Sequence, residues 1–338
     1  MTPHNKKVFL EAHEAVALHG SIFKAAIALG IPYQTFRRRY NRALQLLNMP
    51  DVRFTPRSVG REPLAIPYSE NKGHNSELIL ELEPIQDGTA ICFSDCHWRS
   101  LTQARSVSHE ALLHVARHIK PGFLFCLGDA VDMGSISRHP PLMWSNVKKP
   151  TVKEELAAAQ THLRDIREAA GDPECYWVRG NHDDRYDKFL SANAAAFEGM
   201  GAFTLQDQFP DWPMCYRLDV GDVSMVHRYH SGIHAGYNNA MKSGRTIISG
   251  DTHALDVRPL NHWSKRIWGV QCGMLGDPTW PQFNYRMGIP GHQNQGFVVL
   301  SWKDGVMMPP EICEVSDGAA WFRGQLICGR VRKKAGRG

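Results

Sequence analysis

Residues 122–132 read GFLFCLGDAVD: an apolar run from Phe123 to Leu127, stopped by Gly128 and followed at once by Asp129 and Asp132. A short, aromatic-rich apolar run bounded by Pro-Gly and Gly-Asp has the length and punctuation of a buried strand. The same pattern recurs on both sides. Residues 89–97, TAICFSDCH, run into Asp95 and His97, and residues 174–184, ECYWVRGNHDD, run into Asn181, His182 and Asp183. Residues 223–227, VSMVH, end on His227, and residues 245–253, RTIISGDTH, end on Asp251 and His253. Each ending alone is ordinary, since Gly-Asp starts many loops and a lone histidine is usually satisfied structure. Five together place oxygen and nitrogen donors on one edge of a sheet, where α/β proteins bind ligands. Carboxylates and imidazoles without thiolates suit manganese, iron or zinc in an open site, not a structural zinc knot.

From residue 85 onward β-type runs alternate with helical stretches, which predicts a layered α/β domain. One helix carries its own start signal: Thr151 with Glu154 three positions on makes a capping box. Beyond His253, residues 266–270, 296–301 and 306–315 alternate apolar and polar side chains and are expected as strands of the second sheet. Trp263, Trp268, Trp280 and Phe283 are expected in the core.

Taken in order, Asp-x-His, Gly-Asp-x-x-Asp, Gly-Asn-His-Asp, a lone His and a final Gly-Asp-x-His resemble the motifs of the calcineurin-like metallophosphoesterases. SISRH at 135–139 and GNHDDR at 180–185 are similar to the phage and prophage branch. The resemblance spans residues 89–254 and implies a four-layer α/β/β/α sandwich. It implies two divalent metal ions, manganese in the first place, with iron or zinc as alternatives. Asp95, His97 and His253 would hold one ion, Asn181 and His227 the other, with Asp129 bridging. His182 would protonate the leaving oxygen, and Asp132 would orient that imidazole. The implied reaction is phosphate-ester hydrolysis by a hydroxide held between the ions; no nucleophile elbow or Walker A loop suggests another route.

The sequence departs from the family pattern in places. Asp251 stands where the family usually has a second-metal histidine; either it ligates the second ion, or His230 or water takes that position. Met133 replaces the arginine of the protein-phosphatase branch, and Asp183 replaces its glutamate, which argues against a Ser/Thr protein phosphatase. Arg228 follows His227 in place of the common glycine, and either meets substrate phosphate or pairs with a nearby acid. Residues 133–150 form a long loop of the kind that walls an active site. Arg138, His139 and Trp144 are its candidates for substrate contact.

The 338-residue chain carries a formal charge of +5, and the charge is uneven. Residues 1–60 hold nine basic and three acidic side chains, while the remainder is near neutral. Apolar spacing predicts three helices over residues 6–47, broken at Gly20 and at Gly30-Ile31-Pro32. Ser21 would cap the second, whose buried face would use Ile22, Ala25, Ala26 and Leu29. A short helix, a tight turn and an arginine-dense helix resemble the helix-turn-helix units of bacterial and phage DNA-binding proteins. The resemblance implies DNA contact through Gln34, Thr35, Arg37, Arg38 and Arg42. A docking or dimerisation module is the alternative.

The expected organisation is a helix-turn-helix domain at 1–48, a Pro-rich linker at 49–85, the phosphoesterase domain at 86–316 and a basic tail at 317–338. Eight scattered cysteines without a C-x-x-C pair argue against a disulfide framework or thiolate zinc site. Apolar runs of about five residues exclude a bilayer-spanning helix, which takes ~20. Neither a membrane partner nor a signal peptide is expected, so the chain is read as cytoplasmic, in the host cytoplasm if phage-encoded. The leading function is a two-metal phosphoesterase tethered to nucleic acid and acting on a nucleic-acid or nucleotide substrate. The alternatives are a small-molecule phosphoesterase with a docking head, or a DNA-binding regulator with a degenerate phosphoesterase domain. Oligomeric state is left open.

Overall fold

Strand β2 (Gly88–Phe93) alternates its side chains between two apolar surroundings, and this places it at the centre of the molecule. Ile91 and Phe93 face a helical layer, while Ala90 and Cys92 face a second sheet. A strand buried on both faces reads as a continuous apolar run, which is why TAICF shows no polar alternation. The computed structural model describes residues 3–19, 22–47, 79–138, 149–263, 265–286 and 292–330.

The larger sheet continues from β2 through β3 (Phe123–Cys126), β4 (Glu174–Val178) and β5 (Met214–Cys215), all parallel. The smaller sheet contains β1 (Ile79–Leu82), β6 (Arg217–Val220), β7 (Val223–Val226), β8 (Thr246–Ser249), β9 (Leu255–His262) and β10 (Lys265–Cys272), in the order β1-β6-β7-β8-β10-β9. On the other side of β2 the larger sheet runs antiparallel into β11 (Gly296–Lys303), flanked by the short β12 (Val306–Met307). It ends with β13 (Glu311–Ser316), β14 (Ala319–Phe322) and β15 (Gln325–Gly329).

The two sheets face each other across Cys92, Phe125, Leu127 and Tyr176 on one side and Leu218, Met225, Ile248 and Val270 on the other. Helices cover the outer faces. In the head lie α1 (Pro3–His19), α2 (Ile22–Ala28) and α3 (Tyr33–Leu47). Then α4 (Val107–Ile119) and α5 (Val152–Ala170) pack on the large sheet through Leu112, Leu113, Ala158 and Leu163. After α6 (Asp184–Asn193) and the single turn α7 (Leu205–Gln208), α8 (Ala235–Ser243) covers the small sheet through Ala240 against Leu260 and Ile267. The fold is therefore a mixed α/β two-sheet sandwich, as the resemblance implies, with a helical N-terminal region. At the start of α5, Thr151 Oγ1 accepts from the Glu154 backbone N at 3.3 Å, and the Glu154 carboxylate accepts from the Thr151 N at 2.7 Å.

Several boundaries differ from the sequence reading. β1 lies inside the stretch expected as linker, because Ile79 to Leu82 pair in parallel with β6. β14 and β15 lie inside the expected tail, where Ala319, Ala320 and Phe322 add to the core. Strands β11 and β13 belong to the first sheet, since Val299 pairs directly with Ile91. Trp263 is 98% exposed at the tip of the β9–β10 hairpin, and Leu29 is exposed on the head. Gly20, Ser21, His139, Trp144, residues 48–78 and residues 331–338 lie outside the described residues. All eight cysteines are free, seven of them buried as small hydrophobes. Among the described residues no helix is long and apolar enough to cross a membrane.

The head has its own core of Ala12, Ala15, Val16, Ile22, Ala25, Ala26, Phe36 and Tyr40. Among the described residues it meets the body through the ion pairs of Lys24 with Asp207 at 2.9 Å and of Arg37 with Glu174 at 3.3 Å. Glu174 begins β4, and the metal-binding motifs follow the strand ends, so this contact lies at the opposite edge of the sheet from them.

His109 on α4 and His162 on α5 have ring centroids 4.9 Å apart, and both pack beside Trp98. Burial pushes both imidazoles down, His162 to about 4. The unfolded chain takes up these protons near pH 6.5. Their neutral burial therefore adds full stability above about pH 6.5, and that stability is lost as pH falls toward about 4. Urea midpoints should decline over this window, and His162→Phe should flatten the decline. An identical pH dependence in the variant would contradict the assignment.

Candidate active site

Strands β2, β3 and β4 run parallel, as do β7 and β8, so their C-terminal ends bring all five motifs to one edge of the sandwich. The first loop is zipped onto the second: Asp95 N donates to the Gly128 carbonyl at 3.0 Å, and His97 N to the Asp129 carbonyl at 3.0 Å. Five of the seven candidate ligands adopt left-handed backbone, with φ of 53° at Asp95, 48° at His97, 51° at Asp129, 67° at Asp251 and 57° at His253. Asp and His are among the few non-glycine residues that tolerate this region, at a cost of roughly 1–2 kcal/mol each. The close approach explains two glycines. A methyl group on Gly128 would overlap the His227 ring, and one on Gly180 would overlap the Asp129 carboxylate.

Asp183 locks this arrangement. Its buried carboxylate accepts hydrogen bonds from the backbone N–H of Asp129 (2.9 Å), Ala130 (3.1 Å), Val131 (3.3 Å) and Gly180 (2.8 Å), and from Trp177 Nε1 (3.0 Å). Sequence reading used Asp183 only as a branch marker. The signal for its role was its register, directly after His182 on a loop that must close onto Asp129.

Among the described residues two trios of donor atoms share Asp95, namely Asp95–His97–His253 and Asp95–Asp129–His227, and a third, His97–Asp132–His182, adjoins them, each with its atoms within 4.8 Å of one another. His253 Nε2 lies 3.3 Å from Asp95 Oδ1 and 3.3 Å from His97 Nε2. His227 Nε2 lies 3.4 Å from Asp129 Oδ2, while its Nδ1 donates to the Leu127 carbonyl at 2.6 Å. That bond fixes the tautomer and leaves Nε2 free as a ligand. Asp95 Oδ1 and His227 Nε2 are fully buried without any hydrogen-bond partner. Burial alone would push His227 down, yet Asp129 and Asp95 hold it well above its ordinary value. The carboxylates call for a cation here, and a divalent ion competes with the proton for that place. The residues fit a metal pair.

In the third trio, the Asp132 carboxylate lies 3.3 Å from His97 Nδ1 and 3.2 Å from His182 Nδ1, so one side chain orients two imidazoles. Burial opposes ionisation of Asp132, but its two histidines outweigh that and keep it below the usual carboxylate range. Burial likewise opposes a charged His182, and Asp129 and Asp132 together raise it above its ordinary value. Arg185 joins them: Nη1 donates to the Asp132 carbonyl at 2.9 Å, and Nη2 lies 3.0 Å from His182 Nε2.

A cleft of about 220 Å³ opens here, lined by His97, Asp129, Asn181, His182, Asp251 and His253 together with Gln282 and Phe283. The Phe283 ring packs edge-on to His97 at 5.1 Å, so it is a wall of the cleft as well as buried. Gln282 Nε2 donates to the His97 carbonyl at 3.2 Å. Neither Gln282 nor the site role of Phe283 was evident beforehand, since both arrive from a loop without a motif.

Asp251 Oδ1 lies 3.9 Å from His227 Nε2, and Oδ2 is held by Arg228 Nε at 3.3 Å and by the Ser231 hydroxyl at 3.0 Å. Of the two roles open to Arg228, pairing with a nearby acid is therefore present. The His230 ring packs beside Tyr229 at 4.4 Å, and the trios do not include it. Arg138 is exposed at the point where the described loop stops.

The family model of the calcineurin-like phosphoesterases matches residues 88–271, more than half of the chain. The chain belongs to that family. Among its relatives is the Gene 54 protein of Mycobacterium phage D29, 23% identical over 222 residues, covering 56% of this chain and 82% of that protein. The Gene 54 protein of Mycobacterium phage L5 is 24% identical over 215 residues, with 56% and 82% covered. Similar solved structures include a Vps29 double mutant from Entamoeba histolytica, with TM-score 0.37, 10% identity, and 70% of this chain and 98% of that chain covered. Another is the nuclease MPE of Pseudomonas putida, with TM-score 0.30, 12% identity and 65% and 86% covered.

Crowding at Gly180 yields a direct test. Gly180→Ala should displace Asp129 and lower manganese affinity by roughly ten- to hundredfold, the range found when support to a ligand is lost. Circular dichroism should stay unchanged. Undiminished metal content after dialysis would show that the close approach is not needed.

Proposed function

We propose that this protein is a two-metal phosphoesterase acting on a nucleic-acid or nucleotide phosphate ester. The observation that carries the reading is the convergence of two donor trios whose buried Asp95 Oδ1 and His227 Nε2 have no hydrogen-bond partner. Asp95, His97 and His253 would hold one ion, His227, Asn181 and Asp251 would hold the second, and Asp129 would serve both. Such ions, manganese with iron or zinc as alternatives, polarise phosphoryl oxygens and lower the pKa of water.

The chain's own groups do the rest. His182, whose basicity Asp129 and Asp132 raise, delivers a proton from Nε2 to the leaving oxygen, and Asp132 fixes the ring through Nδ1. Phe283 shields one flank of the cleft from water. Asp251 offers Oδ1 toward His227, with Oδ2 held by Arg228 and Ser231.

The head is the basis for a nucleic-acid substrate. On α3, Thr35, Arg38 and Arg42 are exposed at three- and four-residue spacing, one face of a helix, and Gln34 lies in its first turn. Arg37 is only 11% exposed and paired with Glu174, so it is the least suited of the five to DNA. A second reading has its own support: Lys24 and Arg37 are both engaged with acids of the body, as a docking module would require.

One experiment separates these. Manganese-loaded protein should hydrolyse bis-p-nitrophenyl phosphate or a nucleotide ester, and His182→Ala should slow it by on the order of 10²–10⁴-fold. DNA affinity should fall steeply with salt, and Arg38→Gln with Arg42→Gln should reduce the log–log slope by about 2 while leaving nucleotide turnover alone. Salt-indifferent DNA binding would favour the docking reading. Failure to hydrolyse any ester with manganese, iron or zinc would overturn the enzyme.

A further inference from the structure

We propose that Arg185 is a substrate-binding residue whose guanidinium takes a non-bridging phosphoryl oxygen of the ester and of the product phosphate. The inference rests on the phosphoesterase reading above. Arg185 is the second residue of α6, and a cation in the first turn opposes the helix dipole, so helix stability does not account for it. The two groups it touches, the Asp132 carbonyl and His182 Nε2, are acceptors with no formal charge when the imidazole is neutral.

Every other half-buried arginine of the catalytic body is treated differently. Arg99, Arg167, Arg179, Arg217 and Arg245 each have a carboxylate within 4.0 Å, and among the described residues Arg185 has none. A guanidinium offers five N–H donors in a fork that matches phosphate. Here it is brought to the imidazole that lines the cleft, and that imidazole's Nε2 lies 3.9 Å from Asp129 Oδ2. An ester bound against His182 Nε2 would lie beside this guanidinium, which is 3.0 Å from that atom. Arg228, by contrast, already spends its Nε on Asp251.

While it holds His182 Nε2, Arg185 occupies the atom needed for the leaving oxygen. Transfer of the guanidinium to a phosphoryl oxygen frees that atom to take a proton from solvent and pass it to the leaving oxygen when substrate is present. Binding and catalysis are thereby linked through one side chain.

The probe is inorganic phosphate, titrated into manganese-loaded full-length protein by calorimetry, with KM and kcat for bis-p-nitrophenyl phosphate measured in parallel. Arg185→Gln should weaken phosphate and raise KM by roughly ten- to hundredfold, the scale of a charge-assisted hydrogen bond, and Arg185→Lys should recover part of the loss. Manganese stoichiometry should be unchanged in both variants. Unchanged phosphate affinity with a fall in kcat alone would assign Arg185 to propping His182 and overturn the proposal. A wild-type protein that binds manganese but neither binds phosphate nor cleaves the ester would overturn the phosphoesterase reading itself, and this inference with it.

Discussion

Asp95 and Asp129 are buried side by side at the edge of the sandwich, and two carboxylates cannot stay ionised there without positive charge beside them. His227 supplies part of it, and burial of Asp129 is outweighed by His227, His182 and His97, which keep its carboxyl well below the usual range. The rest of the site follows from holding these groups together. Loops turn through left-handed backbone, two glycines permit contact that a methyl group would forbid, and Asp183 gathers five N–H donors so that the loops keep their register. Strained backbone of this kind persists only where surrounding bonds over-determine it.

The motif positions were legible because each follows a short apolar run, and parallel strands deliver their C-terminal ends to one edge. The linkage of Asp132 to His182 was likewise anticipated, but its contact with His97 at 3.3 Å was not. What remained hidden depends on contacts far apart in sequence. Asp183 looks like an ordinary loop residue until its loop is closed onto Asp129. Arg185 is one more arginine until its lack of a carboxylate is seen. Gln282 and Phe283 come from a segment with no recurring pattern.

Non-local pairing also explains the errors in the fold. Nothing in residues 296–303 states that they pair with β2 rather than the other sheet, since the apolar alternation suits either. β14 and β15 are short and close to a basic terminus, so charge masked their apolar faces. Trp263 sits at a hairpin tip, where composition alone placed an aromatic in the core. In the head, spacing predicted the burial of Ile22, Ala25 and Ala26 but not the exposure of Leu29, and the diversion of Arg37 to Glu174 required the body to be present.

The uneven charge takes on a sharper meaning with the site assembled. The basic excess belongs to the head, while the body is near neutral because its carboxylates are arranged for divalent cations. The most direct measurement is electron paramagnetic resonance of manganese-reconstituted protein with metal content determined on the same sample. Two ions per chain with an exchange-coupled spectrum, as for a pair about 3.5–4 Å apart, is the expected result. One ion per chain with an uncoupled six-line signal at saturating manganese would contradict a two-metal centre built on Asp129.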